Sequence, residues 1–453
     1  MSFIRKIKKK SGTYLALVEN YREDGKVKQR VLKYIGKEEQ GEVVRRVRTN
    51  DVRILEVKRS LDVDIIDHLA TELNLKQFLT QEMLVMVYSQ ILDRPAMDKL
   101  EKWLSQTEIP NVLELRTIST FGFYDAIEKL NDMDFRKIEM DIIQKLKQYE
   151  MVKTSIVIDI TDTYFEGKSI EGKRRRGKDG KVKKLIQIGL GVTKENGFPI
   201  LHNTYDGNIS DSKIFRDMII KLWEKGFDSI IVDRGMHNKT NLETLQKIKA
   251  QVICGVKKTE FFQSNYLDKV KREDIYSKVN RVKLKNTQVY IKSSEFNKGK
   301  IIVIYNPHLE FVKREIHYEN GGKDETGKYL GYSLIYHNTP IECKKVLMLY
   351  FEKDIIERVF KQLKGILSIR PVRFWLRDHI KAHIKICYLA YAILSLLQYK
   401  LRKLNLSAPE ALDILKTGYR VYLKDNSTNF QWNTTITLRK DQQKIIDVVY
   451  KNR

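Results

Sequence analysis

Asp159 and Asp233 each follow a short apolar run, Ser155–Ile158 and Ser229–Val232, and Glu357 lies among cations further along the chain. Carboxylates delivered by separate elements to one point can hold two divalent ions that clamp the attacking and leaving oxygens of a phosphodiester. Magnesium takes phosphate oxygens and water as well as protein carboxylates, so three acids suffice. A carboxylate just past an apolar strand is also an ordinary solvent-facing cap, and neither aspartate is singled out by its position alone. Asp162 is the alternative first ligand; Asp159 is preferred because it directly ends the predicted strand.

The third acid comes from a helix predicted over 341–367. Tyr350, Lys353, Glu357, Lys361 and Lys364 recur every three or four residues, which places them on one stripe. Ile356, Val359, Phe360 and Leu363 occupy adjoining positions and are expected to pack inward. The stripe offers one carboxylate flanked by ammonium groups and an aromatic hydroxyl, a surface suited to a scissile phosphate. From spacing alone the plainer description comes first: a solvated face held by Glu–Lys pairs worth ~0.2–0.5 kcal/mol each.

Other chemistry-bearing groups are weaker. Gly167-Lys168-Ser169 resembles the end of a phosphate-binding loop, but Asp162 stands where its first glycine belongs. His379 and His383 could share a helix face, yet no third metal ligand accompanies them, so a structural or DNA-facing role is preferred. His237 is assigned no role, and Asp211 reads as a helix cap. Segment 168–184 carries nine Lys or Arg, among them Arg174, Arg175 and Arg176, against Glu171 and Asp179. It connects two strands beside the candidate site, so phosphate contact is preferred over a merely solvated loop. Phe261, Phe262, Tyr266, Tyr290, Tyr305 and Phe311 offer material for a base-stacking platform, although most are expected to be core.

The elements that must position these groups follow from the periodicities. Residues 13–35 alternate around Asp24-Gly25, a hairpin signal, within a basic β unit over 1–48. From about 60 the period turns helical, giving a helical, DNA-binding region over 49–150. Strands at 155–158, 185–193, 199–205, 229–232 and 250–255 alternate with helices starting at Ser210 or Asp211 and at 238. The order β-β-β-α-β-α-β is that of an RNase H-like core, begun at 151–255. A β-rich insertion at 256–338, with strands such as Val289–Ile291 and Ile301–Tyr305, interrupts it, and 339–400 completes it. The tail, 401–453, reads as helical to about Thr417 and then less regular.

The fold class expected is therefore α+β and multidomain. With 84 Lys+Arg against 58 Asp+Glu, a net charge of +26 points to a polyanionic partner, most commonly nucleic acid. A hydrophobic content of 42% supports packed domains. The run Ile386–Tyr399 is too short to span a bilayer and reads as a buried helix; no apolar stretch follows the basic residues Arg5, Lys6, Lys8, Lys9 and Lys10, so no signal peptide is expected. Cys254, Cys343 and Cys387 suggest neither a zinc pair nor a disulfide framework. A cytoplasmic protein without a membrane partner is expected.

The stretch 350-YFEKDIIERVFKQLK-364 resembles the Tyr-(2)-Arg-(3)-Glu-(6)-Lys motif of DDE transposases of insertion sequences. Tyr350, Glu357 and Lys364 match; Lys353 stands where the family has arginine, keeping the charge but losing the bidentate fork. The segment 159-DITDTYFEG-167 is similar to the family's first-aspartate region and 233-DRG-235 to its second. Segments 206-DGNISD-211 and 369-IRPVRFW-375 resemble one subgroup, so the likeness spans residues 13–400. It implies a retroviral-integrase-like core with a β-rich insertion before the glutamate. Its metal ligands would be Asp159, Asp233 and Glu357, holding Mg²⁺ with Mn²⁺ able to substitute. Tyr350, Lys353 and Lys364 would contact phosphate near the cut, with Lys361 and the arginines of the basic loop adding DNA contacts. The implied partner is double-stranded DNA, both the terminal inverted repeats and the target, bound by a homodimer in prokaryotic cytoplasm. A nuclease or resolvase that cuts without joining, and a non-catalytic DNA-binding descendant, are the alternatives.

Overall fold

A computed structural model describes residues 2–23, 25–39, 42–44, 49–117, 119–149, 155–164, 173–176, 182–284, 287–323, 327–365, 367, 376–426 and 429–451. The chain divides into two compact units, Met1–Arg59 with Gly418–Leu438, and Ser60–Thr417 with Arg439–Arg453.

The first unit holds two antiparallel sheets. Strands β1 (Ser2–Lys9), β2 (Gly12–Glu23), β3 (Lys26–Glu39) and β4 (Glu42–Val44) pair in sequence order. The turn joining β2 to β3 lies at the expected place, with Gly25 at φ +72°, a conformation glycine adopts without strain; Asp24 and the basic residues Arg45, Arg46 and Arg48 lie outside the described residues. The second sheet joins β5 (Val52–Arg59) to β16 (Tyr419–Asp425) and β17 (Gln431–Thr435). Val52–Arg59 is thus a strand inside a stretch expected to be helical, and the tail folds as helix, two strands and helix. Strand β5 alternates too weakly to announce itself, because its pairing partner is supplied by distant sequence.

In the second unit the helices Leu61–Glu72, Gln81–Leu92, Thr120–Asp132 and Phe135–Leu146 follow the helical period. Thr80 and Ser119 cap two of them, accepting from Met83 N at 3.4 Å and Gly122 N at 3.1 Å. They gather around the long helix Arg377–Leu401. Segment Asp378–Leu404 is long and apolar enough to cross a membrane, but 83% of its most apolar stretch is buried inside the protein. Each fully buried Leu or Ile contributes about 1.5–3 kcal/mol, which accounts for an apolar helix held inside a bundle.

The central sheet contains β6 (Ile156–Tyr164), β7 (Lys173–Arg176), β8 (Val182–Thr193), β9 (Pro199–Asp206), β10 (Ser229–Val232) and β11 (Gln251–Val256). Strands β6, β10 and β11 run parallel side by side; β8 pairs antiparallel with β6, and β9 antiparallel with β8. The helix Asp211–Glu224 packs on this sheet through Ile214, Phe215 and Met218. At Gly189 of β8 an added Cβ would lie 2.2 Å from Met218 Sδ, so the helix approaches as closely as it does because a glycine is there.

Three expectations are corrected. The strand before Asp159 does not end there: β6 runs on to Tyr164, because Ile160, Thr161, Thr163 and Tyr164 are strand formers that pair with β8. The insertion does not interrupt the sheet. Its strands β12 (Arg281–Leu284), β13 (Thr287–Phe296), β14 (Gly299–Tyr305) and β15 (Tyr332–His337) extend it beyond β11, and Tyr290, Ile301, Val303 and Tyr305 join the same apolar core. The expected single helix over 341–367 is two, Cys343–Phe351 and Asp354–Gly365. Between them Lys353 N, Ile355 N and Ile356 N bond to carbonyls three residues back. Such tightening marks a local break in an otherwise helical path.

A buried ionic cluster ties the helices to the sheet. Glu139 of helix Phe135–Leu146 meets His202 Nδ1 of β9 at 2.8 Å and Lys225 Nζ at 2.9 Å. Burial pushes the Glu139 carboxyl up, but the His202 and Lys225 contacts outweigh it and hold it below the usual carboxylate value. The Tyr388 ring of the long helix stacks on His202 at 4.4 Å.

Candidate active site

Parallel pairing sets the first two acids side by side. Val232, the last residue of β10, is in register with Ile158 of β6, so Asp233 just past the end of β10 and Asp159 within β6 each come one position after this pair. Along β6, Ile156, Ile158 and Ile160 belong to the core cluster, so alternation turns Asp159 to the opposite face and Asp162 to the face of the isoleucines. That separates the two candidates by orientation. The Asp159 Oδ1 atom accepts the Ile160 N–H at 2.7 Å.

Asp233 is held by three donors. Its Oδ1 accepts from Lys353 Nζ at 2.7 Å, Arg234 N at 2.8 Å and Tyr350 Oη at 3.3 Å. Burial raises the Asp233 carboxyl, yet the Lys353 and Arg234 bonds outweigh it and keep it below the ordinary range. Tyr350 responds in the opposite sense: burial, then the Asp233 charge, pushes its hydroxyl up and keeps it protonated as a donor. The Lys353 ammonium also lies 4.8 Å from the centre of the Tyr350 ring. Beneath them is Cys254, buried, with its thiol pushed up by burial and by Asp233.

Sequence reasoning missed Gly255. An added Cβ there would lie 2.3 Å from Tyr350 Oη and 3.0 Å from Arg234 Cβ, so the glycine is the space through which Tyr350 reaches Asp233. The available signal was an isolated glycine in an apolar strand, which marks a close approach.

Glu357 is exposed on the helix Asp354–Gly365, whose Ile356, Val359, Phe360 and Leu363 are buried as expected. The helix packs against β6. Glu357 lines a groove of about 900 Å³ with Lys194, Glu195, Arg358 and Lys361, and Lys194 pairs with Glu352 at 2.7 Å. Lys364 lies over the Phe360 ring at 5.5 Å. The structure therefore brings Tyr350, Lys353 and Asp233 together, and places Glu357 and Lys361 on a groove with Lys194 and Glu195. Two carboxylates on adjoining strands are the oxygen donors a hard divalent cation takes, and the Asp233 Oδ2 atom receives none of the three bonds above. Among the described residues, however, no three His, Cys, Asp or Glu side chains stand together as a metal-holding group.

The remaining candidates separate as follows. His379 lies 3.7 Å from Glu128, and His383 lies 3.6 Å from Cys387, so the two histidines face different surroundings. His237 packs against Phe262, Phe296 and Tyr336, and its buried Nε2 has no hydrogen-bond partner among the described residues. Phe262, Tyr290 and Tyr305 are core, whereas Phe261 and Phe311 are exposed. Asp211 is in the first turn of its helix. The side chains of Arg174, Arg175 and Arg176 lie outside the described residues, as do Gly167, Lys168, Ser169 and the segment 369–375; only the pairing of strand β7 with β8 is described there.

Residues 4–52 match the family model for the N-terminal domain of IS1634 family transposases. Residues 151–393, more than half of the chain, match that for the transposase DDE domain. No curated protein matches the chain significantly in sequence. Among solved structures, the cryo-EM piggyBac transposase synaptic complex with hairpin DNA is similar at 12% identity and a TM-score of 0.40, over 79% of this chain and 76% of that one.

Proposed function

This chain belongs to the family of transposases with a DDE domain; it is a DNA transposase, and we propose that it cuts the ends of its own insertion sequence and joins them to target DNA. The observation that carries the chemistry is that Lys353 and Tyr350 converge on Asp233, which follows directly on the β10 residue paired with Ile158, the neighbour of Asp159. The strand order β9-β8-β6-β10-β11 supports an RNase H-like core around that pair.

In this reading Asp159 and Asp233 hold divalent ions, Mg²⁺ in the cell, and Glu357 completes the set. When bound, such ions polarise the scissile phosphate and lower the pKa of a coordinated water or hydroxyl. The residues of the chain do the rest. Tyr350 and Lys353 fix the Asp233 carboxylate through one oxygen, leaving the other directed to its ligand. Lys353, Lys361 and Lys364 supply ammonium groups for phosphate oxygens, and the basic segment with Arg174, Arg175 and Arg176 on strand β7 extends that contact. Glu357 must come to the pair, and the tightened segment at Glu352–Lys353 is the joint about which its helix can reset. In the first step water adds to phosphorus and the bond to the 3′-oxygen breaks, freeing a 3′-hydroxyl. In the second, that hydroxyl attacks a target phosphodiester and displaces the target's own 3′-oxygen. A homodimer in the prokaryotic cytoplasm would bring two ends together.

The test is a strand-transfer assay with a labelled duplex ending in the element's terminal repeat and a supercoiled target, in Mg²⁺. Nicked ends and joined products are expected. Cutting without joining would make the chain a nuclease, and no cutting with Mg²⁺ or Mn²⁺ would remove the catalytic reading altogether.

A further inference from the structure

The four-stranded sheet of the first unit sorts its charges by face. Residues opposite one another in the register share a face. On one face the acids are matched by cations: Lys6 with Glu38 at 2.6 Å, Lys28 with Glu23 at 2.8 Å and Arg30 with Glu19 at 2.7 Å. The other face carries Arg5, Asn20, Arg22, Val27 and Gln29, and among the described side chains of β1 to β3 it has no acid.

Strand β1 pairs with β2 only between Gly12 and Glu19. Beyond that point, among the described residues, Asn20–Glu23 and Lys26–Gln29 continue as a two-stranded ribbon. The acid-free face of the ribbon presents two register pairs, Asn20 with Gln29 and Arg22 with Val27. Gln29 Nε2 donates to Asn20 Oδ1 at 2.8 Å, and Arg5 donates to Gln29 Oε1, which sets the two amides side by side. Val27 is 64% exposed, an apolar group on this face.

We propose that this ribbon enters the major groove of duplex DNA and reads sequence there. The B-DNA major groove admits a two-stranded ribbon, and the side chains available match its edges. Arginine pairs bidentately with guanine, Asn and Gln with adenine, and an apolar side chain meets the thymine methyl. Arg22, the Asn20–Gln29 pair and Val27 take those three roles, while Lys26 beside the turn lies within reach of phosphate. An acid on the inserted face would be repelled by the phosphates, and among the described side chains of β1 to β3 this face has none. The proposal rests on the chain's action on duplex DNA and adds where recognition of its own ends resides.

The test uses the full-length protein in band-shift assays with two duplexes, one from the element's terminal repeat and one scrambled, at fixed salt. Arg22→Ala, and Asn20→Ala with Gln29→Ala, should weaken terminal-repeat binding by roughly 5- to 150-fold while leaving scrambled DNA nearly unaffected. Lys6→Ala, on the opposite face, should keep the wild-type ratio. Arg22→Lys retains the charge but not the fork, so it should also lose preference and guards against misfolding of the alanine variant. A wild-type ratio in all the ribbon variants, or equal weakening on both duplexes, overturns the proposal and leaves the cleavage reading standing. A wild-type protein that binds no duplex overturns the transposition reading instead.

Discussion

Lys353 donates to Asp233 Oδ1 at 2.7 Å across 120 positions of sequence, and Tyr350 reaches the same oxygen from one turn earlier. The pair joins the second aspartate of the site to the segment that leads into the Glu357 helix. Replacing Lys353 with alanine should lower terminal-repeat cleavage by at least tenfold, since the Asp233 carboxylate loses its ammonium partner. Lys353→Arg should retain most of the rate. Equal rates for wild type and Lys353→Ala in a single-turnover cleavage assay would refute the positioning role.

Gly255→Ala inserts a methyl where Tyr350 Oη now lies. Overpacking of this kind costs about 1–3 kcal/mol, and cleavage should fall as Tyr350 is displaced. Removing the obstructed hydroxyl in the double variant Gly255→Ala/Tyr350→Phe should recover part of the thermal stability. If the double variant melts no higher than Gly255→Ala, the close approach is not what the glycine serves.

Glu357→Gln keeps size and removes charge. Cleavage should drop by orders of magnitude, and DNA binding should survive because Lys353, Lys364 and the basic loop remain. Lys364→Ala should reduce turnover less severely. Full cleavage by Glu357→Gln would eliminate Glu357 as the third carboxylate.

His383 is half-buried in the long helix beside Cys387, and desolvation lowers its pKa from 6.5 to about 4. A depressed folded value means that the unfolded chain takes up the proton first. Stability from this residue is therefore complete above pH 6.5 and is lost as the pH falls toward 4. Over that window the loss amounts to about 3 kcal/mol. His383→Gln should flatten the melting temperature against pH between those limits, and an unchanged slope would show that His383 does not titrate as described.

Binding should weaken steeply with salt, each phosphate contact adding about −0.9 to the log–log slope. Neutralising Arg174, Arg175 and Arg176 together should make the slope shallower. An unchanged slope would mean that the loop does not touch DNA.

The parts of this molecule legible in its sequence are those governed by local pattern. Asp159 and Asp233 follow apolar runs, and Ile356, Val359, Phe360 and Leu363 bury one side of a helix, as their periods indicate. The hairpin at Gly25 announced itself by its turn residues. What escaped was set by partners distant in sequence. Strand β6 outlasts Asp159 because β8 is there to pair with it. The helix before Glu357 breaks where Lys353 turns to Asp233, and no local signal marks that turn. The insertion reads as a separate block, yet β15 pairs with β11 and makes it part of the same sheet.

Strand β5 waits for its partner. Arg59 pairs with Tyr419 and Val52 with Asp425, and a ribosome adding about 5–20 residues per second needs on the order of 20–70 s to make the intervening chain. Throughout that interval both edges of β5 lack a partner, and pairing with β16 later covers one of them; an open strand edge is a template for mispairing between chains on the same message. A nascent chain halted before Gly418 should accordingly be cut by protease within Val52–Arg59, and a completed chain should not. The rate of elongation through the middle of the message thereby sets how long the β16 side of this strand stays open in each new copy.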